Sequence, residues 1–404
     1  MTQRITVLGA TGSIGDSTLS ILETAQASST EFEVYALSGH RQLDKLLDLC
    51  QKFAPKRVAV PTEAVATFAQ RLKAANLSVD VVGGESGLIE LAEDPQVDTV
   101  VAAIVGAAGL PSTLAAAKAG KRILLANKEA LVMAGHLMMQ AVRDNHATLL
   151  PIDSEHNAIF QCLPEPIQQD NTKIHQSEYG VRKLWLTASG GPFLHKTYAD
   201  MAAANIAEAV KHPNWSMGQK ISIDSATMMN KGLELIEAAH LFDLPEAKIE
   251  VVIHPQSIIH SLVEYSDGSL LAQLGSPDMK TPIAHALAYP KRIDSGVVPL
   301  DLFALADLEF IRPDLNKFAC LRLARDAMQS GMVATIGLNA ANEVAVKAFI
   351  DEQVKLTDIA LINEQTLDTM AQQALQAPSH IDEVIAIDQR ARSIAKQIVA
   401  KRYC

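Results

Sequence analysis

The stretch "RITVLGATGSIGDSTLSIL", Arg4 to Leu22, decides the fold. An apolar run is followed at once by Gly9, Gly12 and Gly15, and then by Ile14, Ile21 and Leu22 on one helical face. A strand, a glycine turn and a helix in that order open a βαβ unit, since parallel strands need a crossover helix and glycine lets the chain reverse tightly. The free N–H groups of such a turn and the positive end of its helix also make a cradle for a pyrophosphate. The spacing is G-x-x-G-x-x-G, not G-x-G-x-x-G, so a βα turn without a ligand stands as the alternative reading.

Working outward, the first 150 residues repeat the pattern, with "RITVLG", "FEVYAL", "RVAV", "VDVVGG", "DTVVAAIVGAAG" and "RILLANKEALV" read as strands between helical segments. This predicts an α/β class, with a Rossmann-like parallel sheet covered by helices over 1–150. A second set of strands, "KLWLTA", "KISID", "IEVVI", "SIIHSLVEY" and "SLLAQL", predicts a central α/β domain over 151–288, with Ser266-Asp267-Gly268 as a hairpin turn. Residues 289–316 carry Pro290, Pro299 and Pro313 and read as a surface linker. From Lys317 to residue 404 the pattern is helical and rich in Ala and Leu, which predicts a C-terminal α-helical domain.

The bulk numbers exclude several functions. A net charge of −11 gives no basic face for nucleic acid or an anionic membrane, so an anionic substrate must be small and met by local cations. Four scattered cysteines, Cys50, Cys162, Cys320 and Cys404, form neither a disulfide framework nor a zinc pattern. With no targeting segment and no uninterrupted apolar run near 18 residues, the expectation is a cytoplasmic protein that does not enter a membrane.

Five segments carry chemistry. The second strand ends in Ser38-Gly39-His40-Arg41 with no acid until Asp44, which favours NADP(H) over NAD, with Arg41 either the cation for a 2′-phosphate or a solvated loop arginine. In "PIDSEHNAIFQ", Asp153 and Glu155 fall at a strand end and in the first turn of the next helix, where two like charges call for a hard cation such as Mg²⁺ or Mn²⁺. The plainer reading makes Asp153 a helix cap. In "IDSATMMNKGLELIEAAHLF", Ser225 is expected to cap a helix on which Asn230 and Glu234 are i, i+4 neighbours, with Lys231 three before Glu234; such a helix could offer an acid to a metal and an amide plus an ammonium to an anion, or be a plain solvated face. "TASGGPF" supplies Ser189, Gly190 and Gly191 for a backbone anion nest, and the segment from there to "HPNWSMGQK", with His212, Trp215, Met217 and Gly218, reads either as a lid or as an ordinary surface helix with a buried tryptophan. "LLANKEALV" sets Asn127, Lys128 and Glu129 on the same sheet edge, where Lys128 could neutralise a substrate oxygen. His254, His260 and His285 read as core or supporting residues.

Together, "GATGSIG", "LLANKEALV", "PIDSEHNAIFQ", "TASGGPF", "KHPNWSMGQKISIDSATMMNKGLE" and "SPDMKTPIAHAL" resemble the 1-deoxy-D-xylulose 5-phosphate reductoisomerase family, in order and spacing, over essentially the whole chain. The resemblance implies an NADPH- and divalent-metal-dependent isomerisation and reduction of a phosphorylated ketose to 2-C-methyl-D-erythritol 4-phosphate, the first committed step of non-mevalonate isoprenoid synthesis, in a homodimer. It implies Asp153, Glu155 and Glu234 as metal ligands. Lys128, Ser154, Glu155, Ser189, His212, Trp215, Ser225, Asn230, Lys231 and Glu234 become substrate contacts, with Lys128, Asp153, Glu155, Glu234 and His212 at the chemistry and Trp215 in a lid of about 189–219. Thr11, Gly12, Ser13, Ile14, Gly39, His40, Arg41, Asn127, Glu129 and Gly218 become cofactor positions. His40-Arg41 departs from the Lys-Asn or Gly-Asn common in the family.

Two rivals share parts of the pattern. An NADP-dependent dehydrogenase of the semialdehyde or homoserine type fits the first 150 residues, but the semialdehyde type needs a nucleophilic cysteine and Cys162 lies in the apolar "IFQCLPEP". A non-enzymatic NADP-sensing protein leaves the carboxylates and the anion pocket unused.

Overall fold

A computed structural model of the chain describes residues 2–27, 32–215, 218–305 and 307–403. It divides into two compact units: residues 1–130, 138–157 and 278–298 form the first, and residues 131–137, 158–277 and 299–404 the second.

The first unit is built on a seven-stranded sheet of β1 (Gln3–Leu8), β2 (Phe32–Ser38), β3 (Arg57–Val60), β4 (Asp80–Gly83), β5 (Thr99–Ala102), β6 (Arg122–Leu125) and β7 (Thr148–Pro151). Their order is β4-β3-β2-β1-β5-β6-β7 and every pairing is parallel. Consecutive residues such as Val100 and Val101, or Ile123 and Leu124, are both fully buried, so both faces of the sheet are covered. The order reverses between β1 and β5, which opens a crevice at the carboxyl ends of the strands. Helix Lys280–Ala288, far away in sequence, packs on helix Ser13–Ala27 and against β6 and β7.

Two expected strands are shorter than the apolar runs that suggested them. "DTVVAAIVGAAG" is strand only over β5, and Ala107–Gly109 is a 3₁₀ turn. The side chain of Asn127 takes the carbonyls of Ile104 and Gly106 that a longer strand would give to a neighbour, and Gly106 has φ +78°. "RILLANKEALV" is strand over β6, and a helix, Lys128–Asp144, starts three residues later.

The second unit holds a four-stranded sheet of β8 (Val181–Ala188), β9 (Ile249–Ile253), β10 (Ile259–Tyr265) and β11 (Leu270–Leu274), ordered β11-β10-β8-β9. β10 and β11 form the antiparallel hairpin expected at Ser266–Gly268, where Gly268 has φ +88°. "KISID" is not a strand: it lies in helix Gln219–Ala226, with Ile223 buried and Ile221 half-exposed, and Lys220 paired to Asp224 one helical turn on at 2.9 Å. The i, i+4 pairing outweighs the accidental alternation of Ile and polar residues. The helices Ala319–Ser330, Met332–Ile350, Asp358–Ala371 and Ile381–Tyr403 pack together, and Met229–Leu241 joins them so closely that a Cβ on Gly232 would lie 2.6 Å from that of Ala324. Among the described residues one helix, Met332–Ile350, is long and apolar enough to cross a bilayer, with a mean hydropathy of 1.2; 67% of that stretch is buried, as in a core helix.

Candidate active site

In the first unit the glycine turn follows β1 as expected. Gly9 has φ +83° and approaches Ala103 so closely that a Cβ would sit 2.6 Å from its carbonyl oxygen; a Cβ on Gly15 would collide with Ala10. Gly12 and Ser13 are exposed where helix Ser13–Ala27 begins, Ile14 is half-buried and Thr11 is buried. The turn is tied to β2 by the Ser38 hydroxyl, which accepts the Gly9 N–H at 2.8 Å. His40 and Arg41 are exposed just past Gly39, whose Cβ would press on Thr11 and Leu46. A cation not foreseen is Lys45: its ammonium donates to the Thr11 carbonyl at 3.0 Å and to Asp16 at 2.7 Å. Its signal was its place in the first turns of helix Leu43–Phe53, one turn after Arg41.

Farther along the same edge, Asn127 caps helix Lys128–Asp144 by accepting the Ala130 N–H at 2.9 Å. This brings Lys128 to β7, where its ammonium pairs with Asp153 at 2.7 Å. Glu129 is buried. Burial pushes the Asp153 carboxyl up, but Lys128 and His156 together with hydrogen bonds outweigh it and hold the group well below the usual carboxylate range. Asp153 is therefore an ionised carboxylate in a largely buried place. The Ser154 hydroxyl donates to Glu155 at 2.6 Å in the first turn of helix Ser154–Cys162. Asn157, one turn on, donates to the Pro151 carbonyl at 2.9 Å and meets His285 at 3.1 Å, which ties this turn to β7 and to helix Lys280–Ala288.

In the second unit, Ser189 directly follows β8, and Gly190 and Gly191 come next with φ +82° and +67°. His212 accepts the backbone N–H groups of Asn214 and Trp215 at Nδ1, at 3.2 and 3.0 Å. Its Nε2 must then carry the proton and donate it to the Ser189 hydroxyl, 2.8 Å away. Ser189 also accepts the Gly191 N–H at 3.2 Å, so its own hydroxyl hydrogen remains for an anion. Burial and, secondarily, Lys231 push the His212 imidazole down to about 4, which keeps it neutral.

Ser225 is not a helix cap. It lies in the last turn of helix Gln219–Ala226, and the next helix starts after Met228, whose φ of +59° breaks the two apart. On that next helix, Asn230 and Lys231 both donate to Glu234, and Lys231 and Glu234 are almost fully buried. Trp215 is half-buried, with its ring 6.2 Å from that of His260. Burial pushes His260 down to about 4, and His254, His260 and His285 are all buried, as expected of supporting residues. Asn214, not foreseen, donates to the Pro255 carbonyl and to Ser257 at 2.9 Å. Gly218 precedes helix Gln219–Ala226; Ser216 and Met217 lie outside the described residues. Cys162 is half-buried and burial pushes its thiol up to about 11, which suits packing and not a nucleophile.

Comparison with known proteins agrees with these motifs over the whole length. The family described as 1-deoxy-D-xylulose 5-phosphate reductoisomerase matches residues 5–135, its C-terminal domain 149–242, and the DXP reductoisomerase C-terminal domain 274–394. The 1-deoxy-D-xylulose 5-phosphate reductoisomerase of Psychrobacter cryohalolentis is 72% identical over 401 residues, 99% of each chain. That of Pseudomonas putida is 57% identical, covering 98% of this chain and 97% of its own. A crystal structure of DOX-P reductoisomerase in complex with NADPH, fosmidomycin and magnesium superposes with a TM-score of 0.96 at 58% identity, covering 98% of both chains. The Zymomonas mobilis enzyme in complex with NADPH gives 0.88 at 46% identity, covering 99% of both. The chain belongs to the 1-deoxy-D-xylulose 5-phosphate reductoisomerase family.

Proposed function

We infer that this chain carries out the reaction of its family through the residues described above. It converts 1-deoxy-D-xylulose 5-phosphate to 2-C-methyl-D-erythritol 4-phosphate, with NADPH as reductant and Mg²⁺ or Mn²⁺ as metal. A plain dehydrogenase or an NADP sensor is not favoured. The observation that carries the assignment of the site is Asp153, held ionised beside Lys128 at the end of β7, with Glu155 in the next turn.

Asp153, Glu155 and Glu234 would hold the metal. Their donors are all carboxylate oxygens, which suit a hard divalent ion, and each of Asp153 and Glu234 already faces an ammonium. When bound, such an ion polarises a ketose carbonyl and stabilises the oxyanion that forms as the carbon skeleton rearranges. NADPH would lie on the Gly9–Gly15 turn, where Thr11, Gly12, Ser13 and Ile14 receive the pyrophosphate and Gly39, His40 and Arg41 the 2′-phosphate, with Asn127, Glu129 and Gly218 completing its contacts. The open side of Gly12 fits this, since a side chain there would fill the approach.

The remaining residues bind and orient. Ser189, Ser225, Asn230 and Lys231 take the phosphate, with His212 fixing the Ser189 hydroxyl; Lys128 and Ser154 meet the substrate oxygens, and Trp215 covers them as the segment 189–219 closes. Binding the remote phosphate holds the reacting end in place and excludes water. In domain terms, 1–150 carries NADPH, 151–288 the substrate and metal, 289–316 links, and 317–404 forms the C-terminal helical module.

A homodimer and a cytoplasmic location complete the proposal. The β9 edge is closed by the chain's own Ile311, which bridges Ile253, whereas β11 leaves Leu270, Leu271 and Leu274 exposed on an open edge that a second copy would cover. Cys50, Cys162 and Cys320 are free thiols, as in a reducing compartment. The test of the whole reading is oxidation of NADPH in the presence of 1-deoxy-D-xylulose 5-phosphate. Turnover should stop with EDTA, return with Mn²⁺, and be lost in Asp153→Asn; turnover that survives chelation and that substitution refutes it.

A further inference from the structure

Lys317 lies at the start of the helical segment, outside every motif above, yet its side chain ends at the loop that follows Ser189. Its ammonium donates to the carbonyls of Phe193 at 2.7 Å, Leu194 at 2.8 Å and Lys196. A lysine has three donors, and here one turn of backbone uses all of them. No carboxylate stands within ion-pair distance of it among the described residues, although Asp314 and Asp200 act on it from farther off.

The lysine is itself held. The Asp314 carboxylate accepts the N–H groups of Asn316 and Lys317 at 2.9 and 3.2 Å, and the Lys317 stem crosses the buried Phe318 ring, with the ammonium 5.1 Å from its centroid. On the other side of the loop, Gly191 touches the helix that carries Ser225: a Cβ there would be 2.6 Å from the Ser225 carbonyl oxygen. The two glycines are thus bracketed, by that helix on one side and by the turn that Lys317 holds on the other.

We propose that Lys317 is a positioning residue for the phosphate subsite: by tying Phe193 to Lys196 it sets the shape of the Ser189–Gly191 nest. This rests on the reading of Ser189 as a phosphate ligand. A carbonyl bound to an ammonium gives up its freedom to rotate, so the N–H groups of the nest stay aimed at the anion before it arrives.

Lys317→Met removes the ammonium and keeps the stem. With 1-deoxy-D-xylulose 5-phosphate its KM should rise about tenfold while kcat stays within about twofold and the KM for NADPH is unchanged. Lys317→Arg, which keeps the charge and several donors, should recover most of the loss. Inorganic phosphate, titrated by ³¹P NMR, should bind the Met variant about tenfold more weakly than wild type. If Lys317→Met does not fold, Lys317→Gln, which keeps one donor, takes its place. Unchanged KM and phosphate affinity, or an equal fall in kcat and in NADPH affinity, overturn the proposal. A wild-type protein that fails to turn over the ketose removes the functional reading instead, and the phosphate titration then judges Lys317 alone.

Discussion

Replacing Gly9 and Gly12 one at a time by alanine separates the architecture of the glycine turn from its service to a cofactor. At Gly9 the backbone has φ +83°, and forcing an L-residue into left-handed space costs about 1–2 kcal/mol. The added Cβ would also sit 2.6 Å from the Ala103 carbonyl oxygen, a backbone atom that cannot swing aside, and overpacking of that kind costs about 1–3 kcal/mol. Gly9→Ala should therefore lose about 2–5 kcal/mol of stability in urea unfolding. At Gly12 no positive φ is involved, and the nearest atom to a Cβ is the Gly9 carbonyl oxygen at an ordinary 3.4 Å. Gly12→Ala should unfold within about 0.5 kcal/mol of wild type. If this turn receives the pyrophosphate as proposed, the methyl group would crowd its approach to the backbone N–H groups, so the KM for NADPH should rise at least about tenfold. Gly9→Ala with a wild-type urea midpoint would refute the steric argument. Gly12→Ala with an unchanged KM would take the cofactor off this turn.

Three further outcomes follow from the same geometry. Lys231→Met takes the ammonium away from the almost fully buried Glu234 carboxylate and should cost about 3–5 kcal/mol, whereas the double variant with Glu234→Gln should restore much of the stability without restoring turnover; a double-mutant cycle in urea measures this. The imidazoles of His212, His240 and His260 are each pushed down to about 4 by burial, so between that value and the unfolded value of about 6.5 the unfolded chain binds more protons than the native one. Stability of the second unit should thus be fully present above about pH 6.5 and fall as the pH drops toward 4, with uptake of about three protons on unfolding near pH 5; a flat profile over that window contradicts the burial argument. Asn342→Ala removes the amide that donates to the buried Asp224 at 2.7 Å and should cost about 1–3 kcal/mol by thermal or urea unfolding, unless the helix Gln219–Ala226 is held by Lys220 alone.

By itself the order of residues determined the class of fold, the glycine turn after β1 and the list of chemical groups, because each is a local matter. An apolar run followed by glycines and a 3.6-residue period is read within twenty positions, and Asp153, Glu155, Asn230, Lys231 and Glu234 sit in short motifs whose spacing carries its own meaning. It overextended β5 and turned "KISID" into a strand, since short apolar alternation does not say which partner takes the backbone carbonyls; a side-chain amide in one case and an i, i+4 ion pair in the other made the choice. Only the tertiary structure decided what long-range contact decides. It set the tautomer and neutrality of His212, which depend on two N–H groups that point at one nitrogen. It kept Asp153 ionised by Lys128, an electrostatic balance struck between two strand ends. It also brought Lys317 to a loop more than a hundred residues upstream, a pairing for which no periodicity exists because closure of so long a segment leaves no trace in local sequence.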